Sequence, residues 1–124
     1  GLLAFVGVGK TDDVASAKKM ADKVANLRIF DDGAGKTNLS LLDVNGEALV
    51  VSQFTLYADC RKGRRPSFTD AGHPDVAASL VEEFRTALAD RGVPTASGVF
   101  AAHMKVHLVN DGPFTVYLED EQIA

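Results

Sequence analysis

Apolar positions along the chain change their period several times, and each change marks an element. Residues 2–8, LLAFVGV, are an almost unbroken apolar run of strand length. Val14, Ala17, Met20 or Ala21, Val24 and Leu27 then recur at helical spacing, so an amphipathic helix is predicted to about residue 26. Thr11 is its expected N-cap, with Asp12 and Asp13 in a first turn where carboxylates favour the helix dipole. LRIF reads as a short strand and DDGAGK as a turn. TNLSLLDV reads as the next strand, closed by Asn45-Gly46, a strong hairpin signal. Its expected partner, EALVVSQFTLYA, is nearly continuous in apolar residues and so reads as central.

A polar, basic loop follows, from Asp59 to about Gly72. Pro74 suits the first position of a second helix, and Val76, Leu80, Val81, Phe84 and Leu88 mark its apolar face. Gly92 is the expected C′ stop, with Pro94 soon after. Met104, Val106 and Leu108, then Phe114, Val116 and Leu118, alternate as in two half-buried strands, placed at about 100–109 and 114–119. Between them Asn-Asp-Gly-Pro is made of turn residues, and Pro113 brings no N–H to a ladder. The order predicts an α+β fold of mostly antiparallel strands with two packed helices.

With 124 residues the chain is expected to be one domain, residues 1–124, around a single core. Its composition, 46% hydrophobic and 24% charged, is that of an ordinary globular protein. No apolar run approaches membrane-spanning length, no secretory signal is visible, and Cys60 is the only cysteine. A cytoplasmic protein with no membrane partner is the expectation. The first residues enter a strand directly, without an initiator methionine, so an N-terminally incomplete domain is expected.

A net charge of −4 argues against broad coating of nucleic acid, and no DNA partner is expected. The charge is uneven, however. Arg61, Lys62, Arg64 and Arg65 are four of the thirteen Lys and Arg, leaving nine elsewhere against seventeen Asp and Glu. Such a run is either a solvated loop or a local phosphate contact.

GVGKT, residues 7–11, imitates a phosphate loop, but Ala4 stands where that motif needs its first glycine. His103 and His107 lie four strand residues apart, roughly 13 Å, too far to share a metal. His73 precedes a proline, and surface or capping roles suit all three histidines. Neither a metal nor a cofactor is expected. SQFT, residues 52–55, is more informative: it sets Ser52, Gln53 and Thr55 in the most apolar strand of the chain. Strand geometry would send Ser52 and Phe54 to one face, Gln53 and Thr55 to the other. The stretch is either a hydrogen-bonded core network or a strand end opening into a pocket around a reacting carbonyl. No neighbouring histidine supplies a triad base.

With VVSQFTLYAD and LVNDGPFTVYL both in view, the chain resembles the D-aminoacyl-tRNA deacylases. RIFDDGAGKTNLSLLDV, GRRPSF and GVFAAHMKV, in this order, carry the same likeness from Gly1 to about Leu118. The paired motifs SQxT and NxGPxT are specific together and weak apart. The resemblance implies a barrel-like sheet, the DTD-like fold, and a homodimer with active sites at the subunit interface. It implies hydrolysis of the ester between a D-amino acid and the 3′ end of tRNA, and acceptance of glycine, including glycine mischarged on tRNA(Ala). In the family the Gly-Pro bond is cis and enters the partner's active site, which would make Gly112 and Pro113 a filter that rejects L side chains by exclusion.

SQFT would line the same pocket, with N–H groups near Phe54 and Thr55 stabilising the oxyanion and Ser52 and Gln53 orienting substrate. Thr55 is the position read in the family as a nucleophile; the alternative is assistance from the 2′-hydroxyl of the terminal ribose. Phe100 and Met104 are placed at the adenosine pocket or in the core. Family members usually begin with a further strand pair ahead of the equivalent of Gly1, and Phe114 stands where valine is commoner. Two other functions compete: an editing deacylase for an L-aminoacyl-tRNA, and a non-catalytic dimeric RNA-binding protein.

Overall fold

A computed structural model describes residues 1–123. Strand β1, Leu2–Val6, leads to helix α1, Val14–Asn26. The short strands β2, Phe30–Asp31, and β3, Thr37–Leu39, form a two-stranded antiparallel sheet. Strand β4, Ala48–Ser52, runs into a 3-10 turn, Phe54–Tyr57. Helix α2, Pro74–Asp90, and strand β5, Thr95–Ser97, follow, and a last 3-10 turn covers Asp120–Gln122.

The fold is α+β, but the larger sheet differs from the expected antiparallel barrel. It is open and parallel, in the order β1-β4-β5, with Leu3 opposite Leu49 and Val50 opposite Ser97. Each parallel step crosses over through a helix, α1 before β4 and α2 before β5, as parallel pairing requires. One face of the sheet packs on the helices: Leu2, Ala4, Val6, Ala48 and Val50 meet Ala21, Ala25, Phe84 and Leu88. The residues that alternate with them, Phe5 and Leu49, are exposed on the opposite face.

Both helices form where their periodicity places them, with caps that explain their ends. The N-cap of α1 is Asp13 rather than Thr11, because the Asp13 carboxylate accepts the Ser16 N–H at 2.9 Å while the Ser16 hydroxyl oxygen accepts the Asp13 N–H at 3.2 Å. Helix α2 starts with Pro74 at its first position and His73 as N-cap. It stops at Gly92, whose φ of +95° suits the left-handed C′ position. The Gly92 N–H donates to Ala89 and the Val93 N–H to Leu88, a Schellman closure. Val76, expected on the buried face, is half exposed; Ala77 is buried in its place.

Asn45-Gly46 does not join a hairpin. Strand β3 ends at Leu39 and pairs with β2, while β4 lies between β1 and β5. Residues 41–45 are turns closed by a reciprocal pair: the Ser40 N–H donates to the Asp43 carboxylate and the Asp43 N–H to the Ser40 hydroxyl. That closure points Leu41 into the core, where it is fully buried.

The strands expected at 100–109 and 114–119 do not form among the described residues. Residues 101–119 instead make an arm with no ladder partner. Alternation records which side chains seek burial, but a strand also needs a neighbouring backbone. The arm returns to the body at its end, where Lys19 Nζ lies 3.0 Å from Asp120 Oδ1.

Candidate functional site

The SQFT stretch sits where β4 stops. Ser52 is the last ladder residue, opposite Val6, and the Gln53 N–H still donates to the Val6 carbonyl at 2.8 Å. The backbone then turns into the 3-10 segment, so the expected two-face alternation of residues 52–55 ends at Ser52. Phe54 and Thr55 are both exposed. The turn is closed by the Leu56 N–H on the Gln53 carbonyl and the Ala58 N–H on the Thr55 carbonyl. The N–H groups of Phe54 and Thr55 find no acceptor among the described residues, as is usual for the opening donors of a helical turn. The Gln53 amide Nε2 donates to the Thr55 hydroxyl oxygen. An amide is not a base, and no histidine or carboxylate bonds Thr55 among the described residues.

On the arm, the Gly112-Pro113 bond is cis. Asn110 ties the turn around it: its amide Nδ2 donates to the Thr115 hydroxyl at 2.9 Å, and its Oδ1 accepts the Phe114 N–H at 3.2 Å. Gly112 has φ +125°, a value that L side chains rarely adopt, and a Cβ there would lie 3.2 Å from the Phe114 nitrogen.

A cavity of 1880 Å³ lies beside the arm. Leu56 and Tyr57 of the turn border it on one side and residues 108–112 and 114–121 of the arm on the other. The arm motif borders this space but residues 52–55 do not, and no hydrogen bond among the described residues joins Gly112 or Pro113 to residues 52–55. A second cleft, 400 Å³, lies between Tyr57, Asp59 and Arg61 on one side and Tyr117 and Glu119 on the other. Burial raises the Tyr57 phenol above its ordinary range, and the nearby carboxylates of Asp12, Glu119 and Asp120 add to the effect. The Tyr117 phenol is raised first by its hydrogen bond to Glu119.

Met104 packs on the strand end: a Cβ at Gly98 would meet its sulfur at 2.6 Å and Val51 at 3.7 Å. Phe100 occupies the turn before it, where the Ala102 N–H donates to Val99. The GVGKT loop is closed from within, because the Asp12 carboxylate accepts the Gly9 N–H at 2.8 Å. An anion at that donor would displace the chain's own carboxylate. No group of three or more metal-ligating side chains occurs among the described residues. No described helix is long and apolar enough to cross a membrane.

Sequence reasoning missed the Asn110–Thr115 clamp, although NxGPxT contains both partners. It also missed an exposed aromatic pair, Phe54 and Phe68, whose ring centroids are 5.1 Å apart.

The sequence profile of the D-Tyr-tRNA(Tyr) deacylase family matches residues 1–119. The D-aminoacyl-tRNA deacylase of Thermotoga petrophila is 56% identical over 123 residues, which cover 99% of this chain and 83% of that protein. The corresponding protein of Thermomicrobium roseum is 59% identical over 123 residues, 99% of this chain and 80% of that one. Among solved structures, the c-Myc DNA Unwinding Element Binding Protein aligns with a TM-score of 0.89 and 36% identity, covering 96% of this chain and 81% of its own. A probable eukaryotic D-amino acid tRNA deacylase aligns at 0.71 with 15% identity, over 83% of this chain and 76% of its own, a likeness of fold alone.

Proposed function

Because the chain belongs to the D-Tyr-tRNA(Tyr) deacylase family, we propose that it hydrolyses the ester linking a D-amino acid to the 3′ end of tRNA, releasing free amino acid and tRNA. The observation that carries this reading is the presence of both family motifs in one chain, SQFT where β4 ends at residues 52–55 and NxGPxT as a clamped turn at residues 110–115.

The free N–H groups of Phe54 and Thr55 are donors for the oxyanion that forms as water attacks the ester carbonyl. Thr55 has no base beside it, so the terminal ribose 2′-hydroxyl is the better source of assistance, with Ser52 and Gln53 setting the turn. Gly112 and Pro113 exclude the side chain of an L-amino acid. Selection by exclusion tolerates many D side chains, and it tolerates glycine, which has none.

The active unit is a homodimer in which the arm of one protomer reaches the SQFT turn of the other. Three features support this: the motifs do not meet within one chain, the arm has no ladder partner, and it exposes apolar residues, with Val109 at 89%. Phe100 and Met104 are assigned to the terminal adenosine of the tRNA. The experiment is incubation of the protein with D-tyrosyl-tRNA and measurement of ester loss. Accelerated release of D-tyrosine is expected; release no faster than spontaneous hydrolysis would overturn the activity.

A further inference from the structure

The basic loop has no role in the chemistry above, yet its construction is specific. Its base is pinned by a two-way bridge: the Asp59 N–H donates to the Ser67 carbonyl at 2.7 Å and the Ser67 N–H to the Asp59 carbonyl at 2.8 Å. Arg61 forks onto Asp59 at the surface, with Nε and Nη2 on the two carboxylate oxygens at 2.9 and 2.7 Å. That fork holds the Asp59 carboxyl at about 2 and already engages two of the Arg61 nitrogens.

Lys62, Arg64 and Arg65 differ. All three are exposed, and none forms an ion pair among the described residues. Gly63, at φ +64°, makes the tip of the loop between them. Three unpaired cations crowd together in a chain whose net charge is −4.

The loop emerges directly between two exposed aromatic rings. Phe54 opens the 3-10 turn that leads into it, and Phe68 follows Ser67 at its base. The rings meet edge to face at 65°, with Phe54 54% and Phe68 36% exposed. A solvated loop explains the cations but gives the adjoining aromatic pair no part. Exposed aromatic rings beside unpaired cations are the pattern that holds single-stranded nucleic acid: bases stack on rings and phosphates meet Lys and Arg.

We infer that the Phe54–Phe68 pair with Lys62, Arg64 and Arg65 forms a docking surface for the single-stranded 3′ end of the tRNA, separate from the groups that select the amino acid. The inference rests on the deacylase reading for its choice of RNA. One ring takes an unpaired base and the loop takes the phosphates that precede the terminal nucleoside. The turn that supplies the Phe54 and Thr55 N–H groups also carries the Phe54 ring, so a docked strand leads its terminal ester toward those donors.

The test is affinity for uncharged tRNA, followed by fluorescence anisotropy between 0.05 and 0.3 M salt. Removing two phosphate contacts with Arg64→Gln and Arg65→Gln should weaken binding about thirtyfold at 0.1 M salt and flatten the salt dependence by about 1.5 in log–log slope. Lys18→Gln with Lys36→Gln removes the same charge elsewhere and should change affinity less than about threefold. Phe68→Ala should cost about tenfold with an unchanged slope, since stacking is not ionic.

Equal losses in the two charge variants, wild-type affinity in Phe68→Ala, or no measurable binding by the wild type would each overturn the docking surface. If D-tyrosyl-tRNA is not hydrolysed while the Arg64/Arg65 variant still loses affinity, the deacylase reading fails and the nucleic-acid surface stands.

Discussion

The side-chain amide of Asn110 reaches across the Gly112-Pro113 turn to the hydroxyl of Thr115 at 2.9 Å, while its oxygen accepts the Phe114 N–H. The first and last residues of NxGPxT therefore hold the turn between them, in an arm that no strand neighbour supports. Asn110→Ala removes two hydrogen bonds at an exposed site, so its cost in stability should be about 1 kcal/mol or less. Hydrolysis of the D-ester should nevertheless fall about tenfold or more, because the filter loses its fixed shape. Paired urea melts and initial rates check this; equal small effects on both would deny the clamp a role in function.

Thr55 and Gly112 should rank in a definite order. Thr55→Ala removes a hydroxyl that only Gln53 contacts, and should retain activity within about fivefold. Gly112→Val places a branched side chain at φ +125°, against the Phe114 nitrogen, and should reduce activity about a hundredfold or more. The reverse order of rates would restore a threonine nucleophile.

If the 2′-hydroxyl assists, the substrate carries part of the machinery. A tRNA ending in 2′-deoxyadenosine and charged with D-tyrosine at the 3′ position should be cleaved about a hundredfold more slowly. Cleavage at the ordinary rate would return that step to the protein.

Much of the body could be read from local sequence, because its signals are local. The apolar face of α2, its proline start and its glycine stop all lie within the helix or one turn of it. Capping boxes were equally local but were passed over: Asp13 with Ser16, and Ser40 with Asp43, moved one helix start and turned an expected strand into a turn. Strand order was not legible, since nothing in EALVV distinguishes a partner in TNLSLLDV from the actual ones, β1 and β5. The arm is not legible from its pattern, because Met104, Val106, Leu108, Phe114, Val116 and Leu118 alternate as in strands but face no neighbouring backbone. Of the site, SQFT and NxGPxT were visible as motifs. The end of β4 at Ser52 was hidden, because Phe54, Leu56 and Tyr57 continue the apolar run through the turn.

Leu41 tests the corrected turn. As part of an exposed hairpin its truncation would be mild, but it is fully buried against the core. Leu41→Ala should destabilise the protein by about 2–5 kcal/mol in urea denaturation. A loss below about 1 kcal/mol would contradict the capped turn that directs it inward.

Asp59 tests the pinned loop. Arg61 holds its folded carboxyl at about 2, against an ordinary 3.8. A depressed value favours the charged form on folding, so this contribution is complete above pH 3.8 and fades as the pH falls toward 2. The Asp59 carboxyl carbon, followed by NMR, should titrate near 2 in the wild type and return upward in Arg61→Gln. An unchanged midpoint in that variant would remove the fork.

The central claim is selection by handedness, and the ratio of kcat/KM for D-tyrosyl-tRNA to that for L-tyrosyl-tRNA measures it directly. The account predicts a ratio of about a hundred or more, since in the proposed dimer an L side chain would compete with the partner's arm for the same space. A ratio near one, with both esters cleaved, would contradict it.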